Sequence, residues 1–496
     1  MIILTIIFCI SVNWRCCFNY YRRGASAGKP LNVLFHVRLF SFFLIVCSFL
    51  FCFSFFKSII NRDLLPHDFD NYFQFYLLLY HYRIDNFTLD NFRTEQLNMT
   101  VEYETKQLTP AQVKIILDTV PILEEAGETL TQKFYQRMIG NYDEVKPFFN
   151  TTDQKLLRQP KILAFALLNY AKNIEDLTPL TDFVKQIVVK HIGLQVLPEH
   201  YPIVGTCLIQ TMVELLPPEI ANKDFLEAWT IAYGNLAKLL IDLEAAEYAK
   251  QPWRWFKDFK VTRIVQECKD VKSVYFTPVD KDLLPLPKPE RGQYLCFRWK
   301  LPGEEFEISR EYSVSEFPKE NEYRISVRHV PGGKISGYIH NNLKVGDILK
   351  VAPPAGNFVY DPATDKELIF VAGGIGITPL LSMIERALEE GKNVKLLYSN
   401  RSAETRAFGN LFKEYKSKFG DKFQAIEYFS EDNNTDDKIV IDKAFNRKLT
   451  TDDLDFIAPE HDVYLVGPRE FMKDIKEHLG KKNVPVKLEY FGPYDP

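Results

Sequence analysis

The chain has 496 residues, a formal net charge of -4 and a pI near 6.2. That length allows about three domains of roughly 100–200 residues each, and the near balance of charge excludes a protein built to bind a polyanion. Charged residues make up 25% of the chain, an ordinary value for a globular protein, so no nucleic-acid partner is expected.

The average hides a break near residue 100. Residues 1–60 contain no Asp or Glu and hold five of the eight cysteines: Cys9, Cys16, Cys17, Cys47 and Cys52. Cys207, Cys268 and Cys296 show no ligand spacing and read as reduced structural thiols. Leu39 to Phe56 is uncharged and apolar, and as a helix it would reach roughly 27 Å, just enough to cross a bilayer. Topology argues against an anchor. Arg15, Arg22, Arg23, Lys29 and Arg38 precede the run and outnumber Lys57 and Arg62 after it, which would send everything downstream across the membrane and away from the nicotinamide pool. Met1 to Ile10 also lacks the basic start of a signal peptide. Residues 1–98 therefore read as an atypical hydrophobic extension from a mis-extended start, with Met99 the initiator. An anchor over 39–56 and an acid-free targeting peptide are the alternatives. A cytoplasmic monomer is expected, with membrane attachment only if 39–56 is a real anchor.

The next segment, 99–249, is expected to be all-α. Thr109-Pro110-Ala111-Gln112 carries a capping residue, a proline at the first helical position and a Gln three residues past the cap. Helical stripes follow over Leu130–Ile139, Ile162–Ile174, Leu180–His191, Tyr201–Leu216 and Asp224–Tyr248. Gln251-Pro252-Trp253-Arg254-Trp255 reads as a linker. Between 250 and 362, short β-rich runs (Val261–Val265, Val271–Thr277, Gln293–Trp299, Ile308–Ser313, Tyr323–Val330, Ile348–Val351) predict a small antiparallel barrel. Between 363 and 496, buried-strand runs at Leu368–Ala372, Asn393–Ser399, Phe423–Phe429 and Val463–Val466 alternate with helical stretches, as in a doubly wound α/β domain.

His191 lies near the end of its helical stripe, and alone it reads as a core histidine. A five-coordinate haem needs more: an imidazole on one face, a packed aromatic, and polar groups on the other face. Tyr135, Phe148-Phe149-Asn150 followed by Gln154, and Gln159 with Leu163 four residues on supply such groups. Pro160 is tolerable if it is the first helical residue, with Gln159 just before it. On these residues, 99–249 resembles the globin domain of a flavohaemoglobin. The resemblance implies that His191 ligates the iron of haem b and that Phe149 stacks on the porphyrin with Leu163 beside it. It implies that Tyr135 and Gln159 are the distal polar groups. A charge-assisted donor there is worth about 1.5–3 kcal/mol toward the charge that dioxygen acquires. It also implies that Tyr201 and Glu244 orient the proximal imidazole, and that Lys190, beside the ligand, faces the flavin.

Arg310-Glu311-Tyr312-Ser313 resembles the flavin motif of the ferredoxin-reductase-like superfamily, in which the Arg pairs with FAD phosphate and the Tyr lies against the flavin ring. In that family the Ser approaches the ring's reactive nitrogen. Tyr294 matches a second flavin aromatic, and Gly333 with Ser336 opens a short helix suited to the pyrophosphate. Gly374-Ile375-Gly376-Ile377-Thr378-Pro379 joins a buried strand to a helix at Pro379 with Thr378 as cap, as a dinucleotide loop requires. Gly467-Pro468 matches a nicotinamide-side turn, although Val466 stands where the family has Cys. Glu489-Tyr490-Phe491-Gly492-Pro493 matches the segment that covers the flavin. Ser399-Asn400-Arg401 leaves NADH and NADPH both open.

The resemblance covers about residues 100–496 and implies a nitric oxide dioxygenase. A hydride would pass from NADH or NADPH to FAD and single electrons to haem, with O2 and nitric oxide as substrates and nitrate as product. Two other readings stay open. A haem-based oxygen or nitric oxide sensor would make the reductase superfluous. A general NAD(P)H reductase with an accessory globin would turn over without haem.

Overall fold

A computed structural model describes residues 105–149, 158–431 and 440–491. The N-terminal extension, the apolar run 39–56 and Met99 lie outside the described residues, as do Gly492 and Pro493. Among the described residues no helix is long and apolar enough to cross a membrane.

The first part is all-α, as expected. Helix α1 (Pro110–Asn141) starts at the predicted capping box: Thr109 Oγ1 accepts from the Gln112 amide at 3.3 Å, and Gln112 Oε1 accepts from the Thr109 amide at 3.0 Å. The helix then runs as one piece through Pro121 and absorbs the stripe expected to begin separately at Leu130. Proline removes one donor, but Ile116, Leu123, Leu130, Phe134 and Met138, on both sides of it, bury in the same core. Tertiary burial of one face holds the helix together. Helix α2 (Arg158–Lys172) begins before Pro160 rather than at it. The proline still falls in the first turn, where an amide has no intrahelical partner. Helices α3 (Thr181–Leu194), α4 (Tyr201–Leu215) and α5 (Lys223–Tyr248) complete the layer.

Helix α3 ends at Gln195, left-handed at φ 60 and buried. Its side-chain amide donates to Ile192 O at 2.8 Å and Gln251 Oε1 at 3.0 Å, while its oxygen accepts the Trp255 amide at 3.0 Å. The connector is thereby tied to the end of the helix that carries His191.

The second part is a closed antiparallel barrel in the order β1-β2-β5-β4-β3-β6. Its strands are β1 (Lys257–Cys268), β2 (Val271–Pro278), β3 (Tyr294–Trp299), β4 (Ile308–Glu316), β5 (Tyr323–Arg328) and β6 (Ile348–Val351). Phe259, Phe276, Leu295, Phe297, Tyr323 and Ile325 fill it. Helix α6 (Lys334–Asn341) follows Gly333 as expected.

The third part is a parallel sheet ordered β10-β9-β8-β7-β11-β12, with β7 (Glu367–Gly373), β8 (Val394–Asn400), β9 (Phe423–Phe429), β10 (Lys443–Phe445), β11 (His461–Val466) and β12 (Val486–Leu488). Helices α7 (Thr378–Glu389), α8 (Gly409–Phe419) and α9 (Arg469–Lys481) connect them. Strand order reverses direction at β7, and such a switch point is where α/β sheets bind dinucleotides. The glycine loop leaves β7 there.

Candidate functional site

Two groups converge behind His191. Its Nδ1 lies 2.7 Å from Glu244 Oε1 and 3.2 Å from the Tyr201 hydroxyl, and that hydroxyl donates to the same Glu244 oxygen at 2.6 Å. Helix α5 delivers Glu244, which is 2% exposed, and the start of α4 delivers Tyr201. Burial, reinforced by the Glu244 carboxylate, drives the Tyr201 pKa well above its ordinary value, so it stays a donor. With Nδ1 committed, Nε2 is the ring nitrogen left to bind a metal, a fixed tautomer of the kind that ligating histidines need. Among the described residues no group of three or more His, Cys, Asp or Glu could hold a bare metal ion. A single axial imidazole suits a haem iron.

On the distal side, Tyr135 from α1 is buried, its ring 5.4 Å from that of Phe149 in an edge-on arrangement. Burial raises the Tyr135 pKa far above normal, so its hydroxyl donates at any working pH. Phe149 and Leu163 pack, half-buried, against the same core. The backbone places position 159 in the first turn of α2; the Gln159 side chain lies outside what the structure describes.

The barrel presents β3 and β4 to α3. Register pairs Tyr294 with Ser313, Leu295 with Tyr312 and Phe297 with Arg310, so the predicted flavin residues are neighbours on the two strands, with Tyr294 packed toward the helical core and Tyr312 toward the barrel core. Tyr312 stands edge-on to Phe297 at 5.8 Å, and burial raises its pKa. Glu311 Oε1 is buried without a hydrogen-bond partner, as is Ser309 Oγ, and such orphaned groups fit a polar cofactor. Arg310 donates to Ser309 O at 2.7 Å. Gly333 precedes α6, and the buried Ser336 hydroxyl accepts the Val330 amide at 3.2 Å. It therefore shapes that loop.

The seam between helices and barrel joins the two pockets. Lys190 Nζ forms an ion pair with the Glu311 carboxylate. Burial works against the lysine's charge, but Glu311 outweighs it and holds the pKa above the usual lysine value. The Tyr294 hydroxyl reaches Val189 O at 3.4 Å. A Cβ on Gly193 would stand 2.6 Å from that hydroxyl, so the close approach requires glycine. Glu489, near the same charges, has its pKa pushed up to about 7 by burial, with Lys190 opposing and Glu311 adding to the rise.

In the nicotinamide region a 3-10 turn over Gly374–Ile377 leads into α7. Thr378 is the first helical residue rather than the cap, and its hydroxyl donates back to Ile375 O at 3.0 Å; the 3-10 turn takes the place of a side-chain cap. A Cβ on Gly376 would lie 2.5 Å from Val466 O, so backbone fills the space a side chain would need. Gly467-Pro468 follows β11 directly, beside that turn. Tyr490 packs against the sheet core below the Arg469 guanidinium, and Phe491 is exposed. Cys207, Cys268 and Cys296 are free thiols.

Sequence reasoning missed Gly193, Gln195 and Tyr248. Tyr248 donates to Val196 O at 2.6 Å and, more weakly, to His191 O at 3.3 Å, bracing the proximal helix. A glycine two residues past the ligand was a readable signal; the other two depend on contacts that no local pattern announces.

Family models match in the same order: globin over residues 132–240, oxidoreductase FAD-binding domain over 258–360, and oxidoreductase NAD-binding domain over 370–477. The flavohemoprotein of Schizosaccharomyces pombe is 48% identical over 410 residues, covering 81% of this chain and 96% of that protein. The flavohemoprotein of Pseudomonas aeruginosa is 39% identical over 399 residues, covering 78% and 98%. Among solved structures, a flavohemoglobin from Malassezia yamatoensis with bound FAD and heme aligns with a TM-score of 0.69 at 24% identity, covering 78% of this chain and all of that one. That last likeness speaks to the fold.

Proposed function

The chain belongs to the flavohemoprotein family, and from that membership we infer that it is an enzyme, a nitric oxide dioxygenase that oxidises nitric oxide to nitrate with O2 and NADH or NADPH. The observation that carries the reading is the Glu244 carboxylate on Nδ1 of His191. A buried anion there gives the imidazole more electron density to push toward iron, which favours oxygen activation over storage.

When bound, FAD converts the hydride pair of the nicotinamide into single electrons, and haem iron activates dioxygen for the oxidation of nitric oxide. The chain does the rest. The glycine turn after β7 lets backbone approach the dinucleotide, and the β3–β4 patch offers Tyr294, Tyr312 and Ser313 to the flavin, with Arg310 for its phosphate. Gly333 and Ser336 shape the loop before α6. Glu489, Tyr490 and Phe491 close the C-terminal side, with Gly467-Pro468 beside the nicotinamide. The direct contact of Lys190 with Glu311 supports coupling of the two pockets rather than an accessory globin. His191 would hold the iron, Tyr201 and Glu244 hold the imidazole, and Tyr135 with Gln159 would donate hydrogen bonds on the opposite side. A place in the cytoplasm, where the nicotinamide is, agrees with this reading.

The test is anaerobic reduction of the purified holoenzyme by NADH, followed by O2 and nitric oxide. Nitrate forming in step with NADH loss is expected; haem that stays ferric after NADH refutes the proposal.

A further inference from the structure

Away from Lys190, the seam is held by cations on aromatic rings. Arg298 of β3 places its guanidinium carbon 5.0 Å from the ring centre of Phe148, 4.8 Å from Trp255 and 4.5 Å from Phe256. Phe148 belongs to the helical layer and ends the 3-10 turn Asp143–Phe148, while Trp255 and Phe256 belong to the connector. The reverse contact lies nearby. Lys146, in the same turn, sits 4.1 Å above the ring of Phe306, which lies in the barrel between β3 and β4. The turn is thus gripped twice: a barrel cation on its ring, and its own cation on a barrel ring.

Arg298 is an expensive residue to put here. Its Nε and Nη2 are buried with no hydrogen-bond partner, and burial lowers its pKa against the pull of Glu307. A buried donor without a partner costs stability, and an apolar side chain of similar size would be tolerated in its place. What the guanidinium adds is direction. It must face the rings, and the contact strengthens on desolvation. The connector side is equally determined: Trp255 is left-handed at φ 61, and its amide is bound by Gln195 at the end of the His191 helix. Arg298 therefore touches a chain of contacts that leads to both sides of the haem pocket, through Phe148 to Phe149 and through Trp255 to α3.

We propose that Arg298 is a positioning residue for the single-electron step. It locks the Asp143–Phe148 turn and the connector onto the flavin barrel, so that the haem-bearing and flavin-bearing parts keep one separation. This rests on the function proposed above, since only a chain that passes electrons between the parts needs that separation held.

The experiment mixes haem- and FAD-loaded protein with NADH anaerobically and follows flavin and haem reduction as separate phases. In Arg298→Met the flavin phase should match wild type, while haem reduction slows about tenfold or more as the guanidinium's three ring contacts are lost from the docked arrangement. Arg298→Lys should recover much of the rate, because a lysine also sits over rings. Phe148→Leu should slow the same phase, and the double variant should be no slower than Arg298→Met alone, because that variant has already lost the contact with the Phe148 ring. Amide exchange over residues 143–148 should rise in Arg298→Met with unchanged haem and FAD content. If Arg298→Met fails to fold, Lys146→Met at the other end of the turn tests the same lock by the same two phases. Haem reduction at the wild-type rate, additive single effects, or a flavin phase slowed equally would each overturn the proposal. Wild-type haem that never accepts electrons would instead overturn the proposed function.

Discussion

Glu244 Oε1 stands 2.7 Å from His191 Nδ1 and takes the Tyr201 hydroxyl at 2.6 Å on the same oxygen. One carboxylate thus orients the imidazole and is itself held by a neutral donor. Glu244→Gln keeps the shape and removes the charge. Nitric oxide oxidation should fall about 10–100-fold, as when the outer partner of a ligating histidine is lost, and the haem midpoint potential should rise. Glu247→Gln, on an exposed side chain paired with Lys250 at 2.6 Å, should change neither. Redox titration beside nitrate assays checks both, and an unchanged potential in Glu244→Gln would remove the argument for oxygen activation.

The distal prediction concerns Tyr135. Burial holds its hydroxyl protonated far beyond neutral pH, so it donates across the working range and adds no pH dependence of its own. Tyr135→Phe should release dioxygen about 10–100-fold faster, the equivalent of losing a charge-assisted hydrogen bond of about 1.5–3 kcal/mol. Flash photolysis of the oxygenated protein measures this directly. Equal dissociation rates in the two proteins would assign the distal hydrogen bond elsewhere.

The legible part of this chain was what local rules govern. The capping box at Thr109 and the short β-rich runs that form the barrel are written in neighbouring residues. So is the strand–glycine–helix order at Gly374. Chemistry at Tyr135, His191 and Glu244 became readable only through resemblance, because they come from separate helices and no spacing joins them. Helix α1 was misjudged at Leu130 because periodicity sees one face at a time, whereas a shared core carried the helix through Pro121. The left-handed backbone at Gln195 and Trp255 was invisible for another reason. Both are non-glycine residues in left-handed backbone, held there by contacts with each other.

Gly376 makes a steric prediction. Its absent Cβ would lie 2.5 Å from Val466 O and 2.9 Å from the Gly467 amide nitrogen, both backbone atoms of the adjoining strand end, which cannot turn aside. Gly376→Ala must therefore displace the turn that meets the dinucleotide. FAD and haem content should stay as in wild type, while the KM for NADH rises and flavin reduction slows at fixed NADH. Steady-state kinetics with cofactor quantification checks it. Unaltered NADH kinetics would mean that this turn does not approach the nicotinamide cofactor.

The last prediction follows from Glu489. Burial pushes its pKa from 4.5 up to about 7, with Lys190 opposing and Glu311 adding to the rise. An acid whose folded pKa is raised binds its proton more tightly in the folded state. Its contribution to stability is therefore greatest below its unfolded pKa, is lost as pH climbs to about 7, and is flat beyond that. Thermal midpoints of wild type and Glu489→Gln should diverge across that window, the variant lacking the wild-type decline. The same charge appears beside Lys190 at the seam, so the flavin-to-haem rate should inflect near pH 7 in wild type and lose that inflection in the variant. Parallel stability profiles and a shared inflection would show that a group other than Glu489 titrates there.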